Sequence, residues 1–149
     1  NKRINFLEGN IIYENIGLSE ENIQIIKDVN EIYHIAANIS LSINAKEDVL
    51  RVNLDGTINL FNMVKEFKNI KNIFYFSTGY VCGKGRQTVK EEWIINKGKF
   101  RNPYEESKYL AERFVKEFTD SYNIPITIIR PTIIGTRDNS KYKESSMIY

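Results

Sequence analysis

The sequence predicts an α/β fold, a doubly wound parallel sheet with helices on both faces. Two observations predict it. Short apolar runs of strand length alternate with longer amphipathic stretches along the chain, the rhythm that strand–helix–strand units produce. Three of those runs end in small or polar residues: Ala36-Ala37-Asn38, Ser77-Thr78-Gly79 and Arg130-Pro131-Thr132. In open parallel sheets ligands gather at the carboxyl ends of strands, and small residues there let a ligand approach the backbone closely.

Each element follows from local signals. Ile4 to Leu7 reads as a strand. Ser19 is placed to cap a helix running to about Val29, with Glu20 and Glu21 at its positive end. Glu31 to Ala36 (EIYHIA) is a second strand. From about Glu47 to Phe67, the recurrence of Leu50, Leu54, Phe61 and Val64 predicts a long helix. Asn72 to Ser77 (NIFYFS) is short and aromatic-rich, which suits a buried strand. Thr78 to Asn102, with Gly79, Gly83, Gly85 and Gly98, is mostly loop. Pro103 suits the first turn of a helix reaching about Tyr122, on which Leu110, Phe114 and Phe118 stack at four-residue steps. Ile126 to Arg130 is a last strand, stopped by Pro131. The tail from about Thr136 is polar and is expected to be poorly ordered.

Composition narrows the partners. The hydrophobic share of 42% is enough for a globular core. A net charge of +2 with scattered lysines offers no footprint for nucleic acid, which is not expected as a partner. Cys82 is the only cysteine, so no disulfide forms within the chain and a cytoplasmic location is expected. No apolar run approaches the roughly 20 residues of a membrane span, and no secretion signal is present. The chain starts at Asn1 rather than Met, so it reads as a piece of something longer.

The spacing with chemical content is Tyr104-Glu-Glu-Ser-Lys108. Residues four apart on a helix share a face. A nearby ammonium favours the phenolate, so Lys108 is expected to lower the Tyr104 pKa and make it a usable proton donor to a carbonyl. Chance alone supplies such a pair in a chain this rich in Tyr and Lys, and Tyr80-Val-Cys-Gly-Lys84 is one. That second pair runs into a glycine loop and shares no helical face. Tyr104 instead opens a helix, and the hydroxyls of Ser77 and Thr78 at a strand end are placed to meet a substrate carbonyl beside it.

Five segments carry a resemblance: IYHIAA (Ile32 to Ala37), NLDGTINL (Asn53 to Leu60), FSTGYVCG (Phe76 to Gly83), NPYEESKYLAE (Asn102 to Glu112) and ITIIRPTIIG (Ile126 to Gly135). In order and spacing they resemble extended short-chain dehydrogenase/reductases. Within that superfamily GLSEEN (Gly17 to Asn22), STGYV and YEESK look like the thioester-reductase branch, related to male sterility proteins and to NAD-binding epimerase/dehydratases. The resemblance implies a partial Rossmann-type sheet and an NADPH-dependent reductase of acyl thioesters, giving an aldehyde or alcohol. It leaves as alternatives a nucleotide-sugar epimerase or dehydratase using NAD, and a non-catalytic nucleotide-binding sensor module.

Position by position, the resemblance implies that Thr78, with Ser77 beside it, binds the substrate oxygen. Tyr104 is the implied catalytic acid, and Lys108 the residue that holds the nicotinamide ribose. Ala36 and Ala37 fall where the backbone skirts the cofactor, Asn53 is the helix asparagine near the site, and Pro131 and Thr132 border the nicotinamide. Asn10 stands where the family usually has an aspartate near the adenine. The family's opening strand and glycine-rich, phosphate-gripping turn are not matched here. The first two strands are therefore expected to be missing, with Ile4 to Leu7 as the third strand and a gap of roughly 14 Å between it and Glu31 to Ala36. Bare edges of that kind imply self-association, rearrangement or excision from a larger protein, and the isolated fragment is expected to be inactive. The residues that decide NAD against NADP would follow the absent second strand.

The remaining polar residues have plainer readings. His34, inside a strand, is a satisfied core or cofactor-edge histidine rather than a base or metal ligand. Cys82 is a small packed residue. Glu91, Glu92 and Trp93 form a solvated turn with one anchoring aromatic, with substrate gating as the sharper alternative. Glu112 and Arg113 read as surface charges, and Arg130 as a strand end.

Overall fold

The computed structural model describes residues 4–85, 90–95 and 98–134. The runs rich in Ile, Tyr and Phe form three strands, β1 (Glu31–His34), β2 (Asn72–Phe76) and β3 (Ile126–Ile129). They pair in parallel in the order β1-β2-β3. Ile32 stands opposite Ile73, and Ile73 opposite Ile126. Those residues therefore share one face of the sheet, while Tyr33, Phe74 and Thr127 share the other.

Local capping sets the helices. The Ser19 hydroxyl accepts from Asn22 N and starts α1 (Glu20–Ile26). The long stretch before β2 is helical but not uniform: α2 (Lys46–Leu50) passes through a π-helical turn (Arg51–Asp55) into α3 (Gly56–Val64). Asn102 caps α4 (Pro103–Tyr122), accepting from Glu105 N at 2.9 Å. Asn123 ends it in the left-handed conformation at φ 52°, where asparagine is tolerated better than most residues. The bounds of α4 agree with the sequence reading; β1 and β3 stop earlier than Ala36 and Arg130.

The core lies between α3, α4 and one sheet face. Phe61, Val64, Ile73, Tyr75, Ala111 and Val115 are fully buried there. The Phe61 ring meets Phe118 edge-on, with centroids 5.0 Å apart.

Two expectations fail. Ile4 to Leu7 is not a strand; Phe6 is 90% exposed. A strand is held by its neighbour's hydrogen bonds, and among the described residues this segment has no such neighbour. Nor, among the described residues, do helices cover both faces. Residues of α3 and α4 bury one cluster with Ile73 and Tyr75, with Ile23 and Ile26 of α1 packed against it. On the opposite face Tyr33, 55% exposed, stacks on Phe74 at 4.6 Å. The strand order never reverses, and right-handed crossovers between strands laid down in one direction place their helices on the same side. A cleft of about 610 Å³ opens on the free side of β1, lined by Leu7, Gly9, Ile16, Leu18, Ile32 and Ile35 among others. It lies where the sequence reading leaves room for further strands. The polar tail from about Thr136 lies outside the described residues.

Candidate active site

The carboxyl ends of β1 and β2 meet the first turns of α4 and the π-helical turn. Tyr104 is the second residue of α4 and half-buried. Burial, the larger cause, raises the Tyr104 pKa, and the nearby Thr78 hydroxyl opposes it. This corrects the expected lowering by Lys108. The Lys108 ammonium points instead into the sheet: it donates to Phe76 O at 2.6 Å and lies 4.4 Å from the Tyr75 ring centroid.

Lys108 is 2% exposed. Burial pulls its pKa from 10.5 to about 8, with the Glu112 carboxylate opposing. An unfolded chain therefore binds more protons than the folded one between about pH 8 and 10.5, and folding stability contributed by this group rises as pH climbs through that window. Lys108→Met is expected to flatten that rise. Unfolding free energies of both proteins across the window check it; parallel curves would refute it.

Thr78 and Ser77 are both buried. Thr78 Oγ1 also accepts from Tyr80 N at 3.3 Å, capping the short 3-10 turn Gly79–Cys82. The Ser77 hydroxyl has no hydrogen-bond partner among the described residues. Gly79 N donates to Pro131 O at 2.8 Å, drawing the chain after β3 beside Thr78. There Pro131 is half-buried and Thr132 exposed. Ala36 is exposed and Ala37 half-buried at the end of β1.

Asn53, in the π-helical turn, ties these parts together. Its Oδ1 accepts from Asn38 N at 2.7 Å, and its Nδ2 donates to Asn38 O at 2.9 Å and to Ser107 Oγ at 2.8 Å. Ser107 in turn donates to Tyr104 O at 2.8 Å. Both ends of the Asn53 amide are thus engaged, and it fixes the Asn38 backbone. Thr57 Oγ1 donates to Asn53 O at 2.6 Å and sits 2.9 Å from His34 Nε2. His34 is a satisfied core residue, as the sequence reading has it; burial, then Lys108, pulls its pKa to about 4. Asn53→Asp keeps the shape but loses both Nδ2 donors. It is expected to cost about 2–4 kcal/mol in chemical denaturation, since buried acceptors lose their partners; a change below about 0.5 kcal/mol would mean water replaces them.

Sequence reasoning missed Ser107, although it sits inside the YEESK motif. It also misread Glu112 and Arg130. Glu112 is 3% exposed, not a surface charge, and its carboxylate takes Arg130 Nε and Nη2 at 2.9 and 2.6 Å. Tyr80 lies in a 3-10 turn and Lys84 in the turn after it, not on one helix. Among the described residues no cluster of His, Cys, Asp and Glu is arranged to hold a metal, and no helix is long and apolar enough to cross a membrane.

A parallel sheet whose strand ends converge on a helix-borne Tyr and a buried Lys places the chain in the extended NAD(P)-binding Rossmann-fold superfamily, and the comparisons agree. More narrowly, it belongs to the male sterility protein family, whose model matches residues 1–147. It is similar to the fatty acyl-CoA reductase wat of Drosophila melanogaster, 27% identical over 90% of this chain and 30% of that protein. Among solved structures it resembles the terminal R domain of the myxalamid PKS-NRPS biosynthetic pathway, with TM-score 0.73 and 28% identity over 85% of this chain and 32% of that one. It also resembles the UDP-N-acetylglucosamine 4-epimerase of Methanobrevibacter ruminantium M1, with TM-score 0.66 and 28% identity over 80% and 39%. The chain spans 38%, 20% and 30% of the first curated relatives it matches, about a third of a typical one.

Proposed function

We propose that this chain forms the proton-handling half of a nicotinamide-dependent enzyme acting on a nucleotide sugar, by epimerisation or dehydration. One observation carries the catalytic part: a half-buried Tyr104 beside the Thr78 hydroxyl, one helical turn before a buried Lys108. The resemblance to the 4-epimerase supports the substrate class.

The residues fit the nicotinamide end of a cofactor. The Ser77 hydroxyl is buried without a partner, and an ammonium has three protons to donate, so the Phe76 bond leaves Lys108 capacity for a ribose. Ala36, Ala37, Ser77, Lys108, Pro131 and Thr132 would hold NAD or NADP, with Asn53 acting through Asn38. When bound, the cofactor would take or give hydride at the substrate carbon.

This chain's own residues handle the proton. With its pKa raised, Tyr104 is protonated at neutral pH; it donates its proton to the carbonyl oxygen in the reducing half of the reaction, and the phenolate left takes the hydroxyl proton when the sugar alcohol is oxidised. Thr78 fixes that oxygen by a second hydrogen bond.

A second reading, NADPH-dependent reduction of an acyl thioester, is favoured by the family itself and by the similarity to an acyl-CoA reductase. Absorbance at 340 nm of the purified full-length protein separates the two. A change on adding a UDP-hexose, with no NADPH consumed in turnover, supports the first. Steady NADPH oxidation with acyl-CoA or carrier-bound acyl groups supports the second. No change with either substrate set contradicts both.

A further inference from the structure

A charged clamp joins the middle of α4 to the loop that precedes the helix. Arg130 spans two partners: it forks onto the buried Glu112 carboxylate, and its Nη1 donates to Glu92 O at 3.0 Å. Three residues on, Ile95 O accepts from Tyr109 Oη at 3.0 Å and from Arg113 Nη1 at 2.8 Å. Two carbonyls of one short segment are thus gripped by side chains from α4 and from the end of β3. Trp93, between them, packs on the main core.

The gripped segment is one wall of a cavity of about 500 Å³, whose other walls include Gly79, Ile128 and Arg130 itself. Gly79 directly follows Thr78, so the cavity opens next to the proposed reacting centre.

We infer that Arg130 is a positioning residue that holds residues 90–95 as the wall of a subsite for the non-reacting part of the substrate. A buried ion pair is a poor source of stability, because desolvation of both charges offsets their attraction. A bidentate fork does fix direction, and here it fixes the third guanidinium bond, the one to the loop. The subsite's use by substrate rests on the proposed function; the clamp itself does not.

The test uses the full-length protein with Arg130→Met and Arg130→Lys, and with Glu112→Gln should the Met variant fail to fold. Hydrogen exchange is followed for residues 90–95 and for the first turns of α4. In Arg130→Met, exchange of 90–95 is expected to quicken roughly tenfold, the scale of one lost charge-assisted bond, with α4 unchanged. In parallel KM is expected to rise about tenfold while kcat stays within about threefold. Lys, which keeps the charge but not the fork, recovers part of both. Unchanged exchange overturns the clamp. A loosened loop with unchanged KM overturns the subsite. Should the wild-type protein turn over no sugar nucleotide or thioester, the functional reading fails, while exchange still decides the clamp.

Discussion

Replacing Tyr104 by Phe is expected to lower kcat by about 10²- to 10⁴-fold, the usual contribution of a positioned proton donor, with the fold intact. The ring stays and only the hydroxyl leaves. Tyr104 is half-buried and its helix is capped by Asn102, not by its own side chain, so little stability depends on that oxygen. Its carbonyl still accepts from Ser107. The rate loss should appear in both directions of the reaction, since the same phenol oxygen gives up its proton in one and, as the phenolate, takes one in the other. Steady-state kinetics with circular dichroism checks it. Wild-type turnover in a folded variant would remove Tyr104 from the chemistry.

Phe61→Ala is expected to cost about 3–5 kcal/mol of folding stability, as large-to-small changes at fully buried aromatics do. Phe61 has no exposure and meets Phe114 and Phe118 edge-on, at 6.0 and 5.0 Å. It is the main aromatic link between α3 and α4, so the void would sit under the helix that carries Tyr104 and Lys108. A stability loss of that size is a large part of the roughly 5–15 kcal/mol a domain possesses. Urea unfolding measures it; a loss under about 1 kcal/mol would mean the neighbouring rings collapse into the space.

The legible parts of this fold are those written locally. Pro103 and the four-residue spacing of Leu110, Phe114 and Phe118 specify α4 without help from the rest of the chain, and its ends were readable. The aromatic and β-branched runs of β1, β2 and β3 were readable for the same reason. Ile4 to Leu7 has strand composition but needs a partner strand, which composition does not provide. The single helical face follows from strand order, and no local pattern records that order.

The site divides in the same way. Tyr104 and Lys108 were found because helical spacing couples them. Which way Lys108 points was not readable: the Phe76 carbonyl and the Tyr75 ring come from another element, and they decide both its direction and its lowered pKa. Burial likewise reverses the expected shift at Tyr104. Glu112 and Arg130 are 18 positions apart, and nothing short-range marks them as partners.

Titration of NADH and of NADPH into the full-length protein, followed by their fluorescence, tests most directly whether a nicotinamide site is built around the buried amine. Wild-type protein is expected to bind at least one of them, and Lys108→Met to bind it about tenfold or more weakly, the effect of losing a charged donor. Equal affinity in the two proteins, or no binding by the wild type, would contradict the site described for this chain.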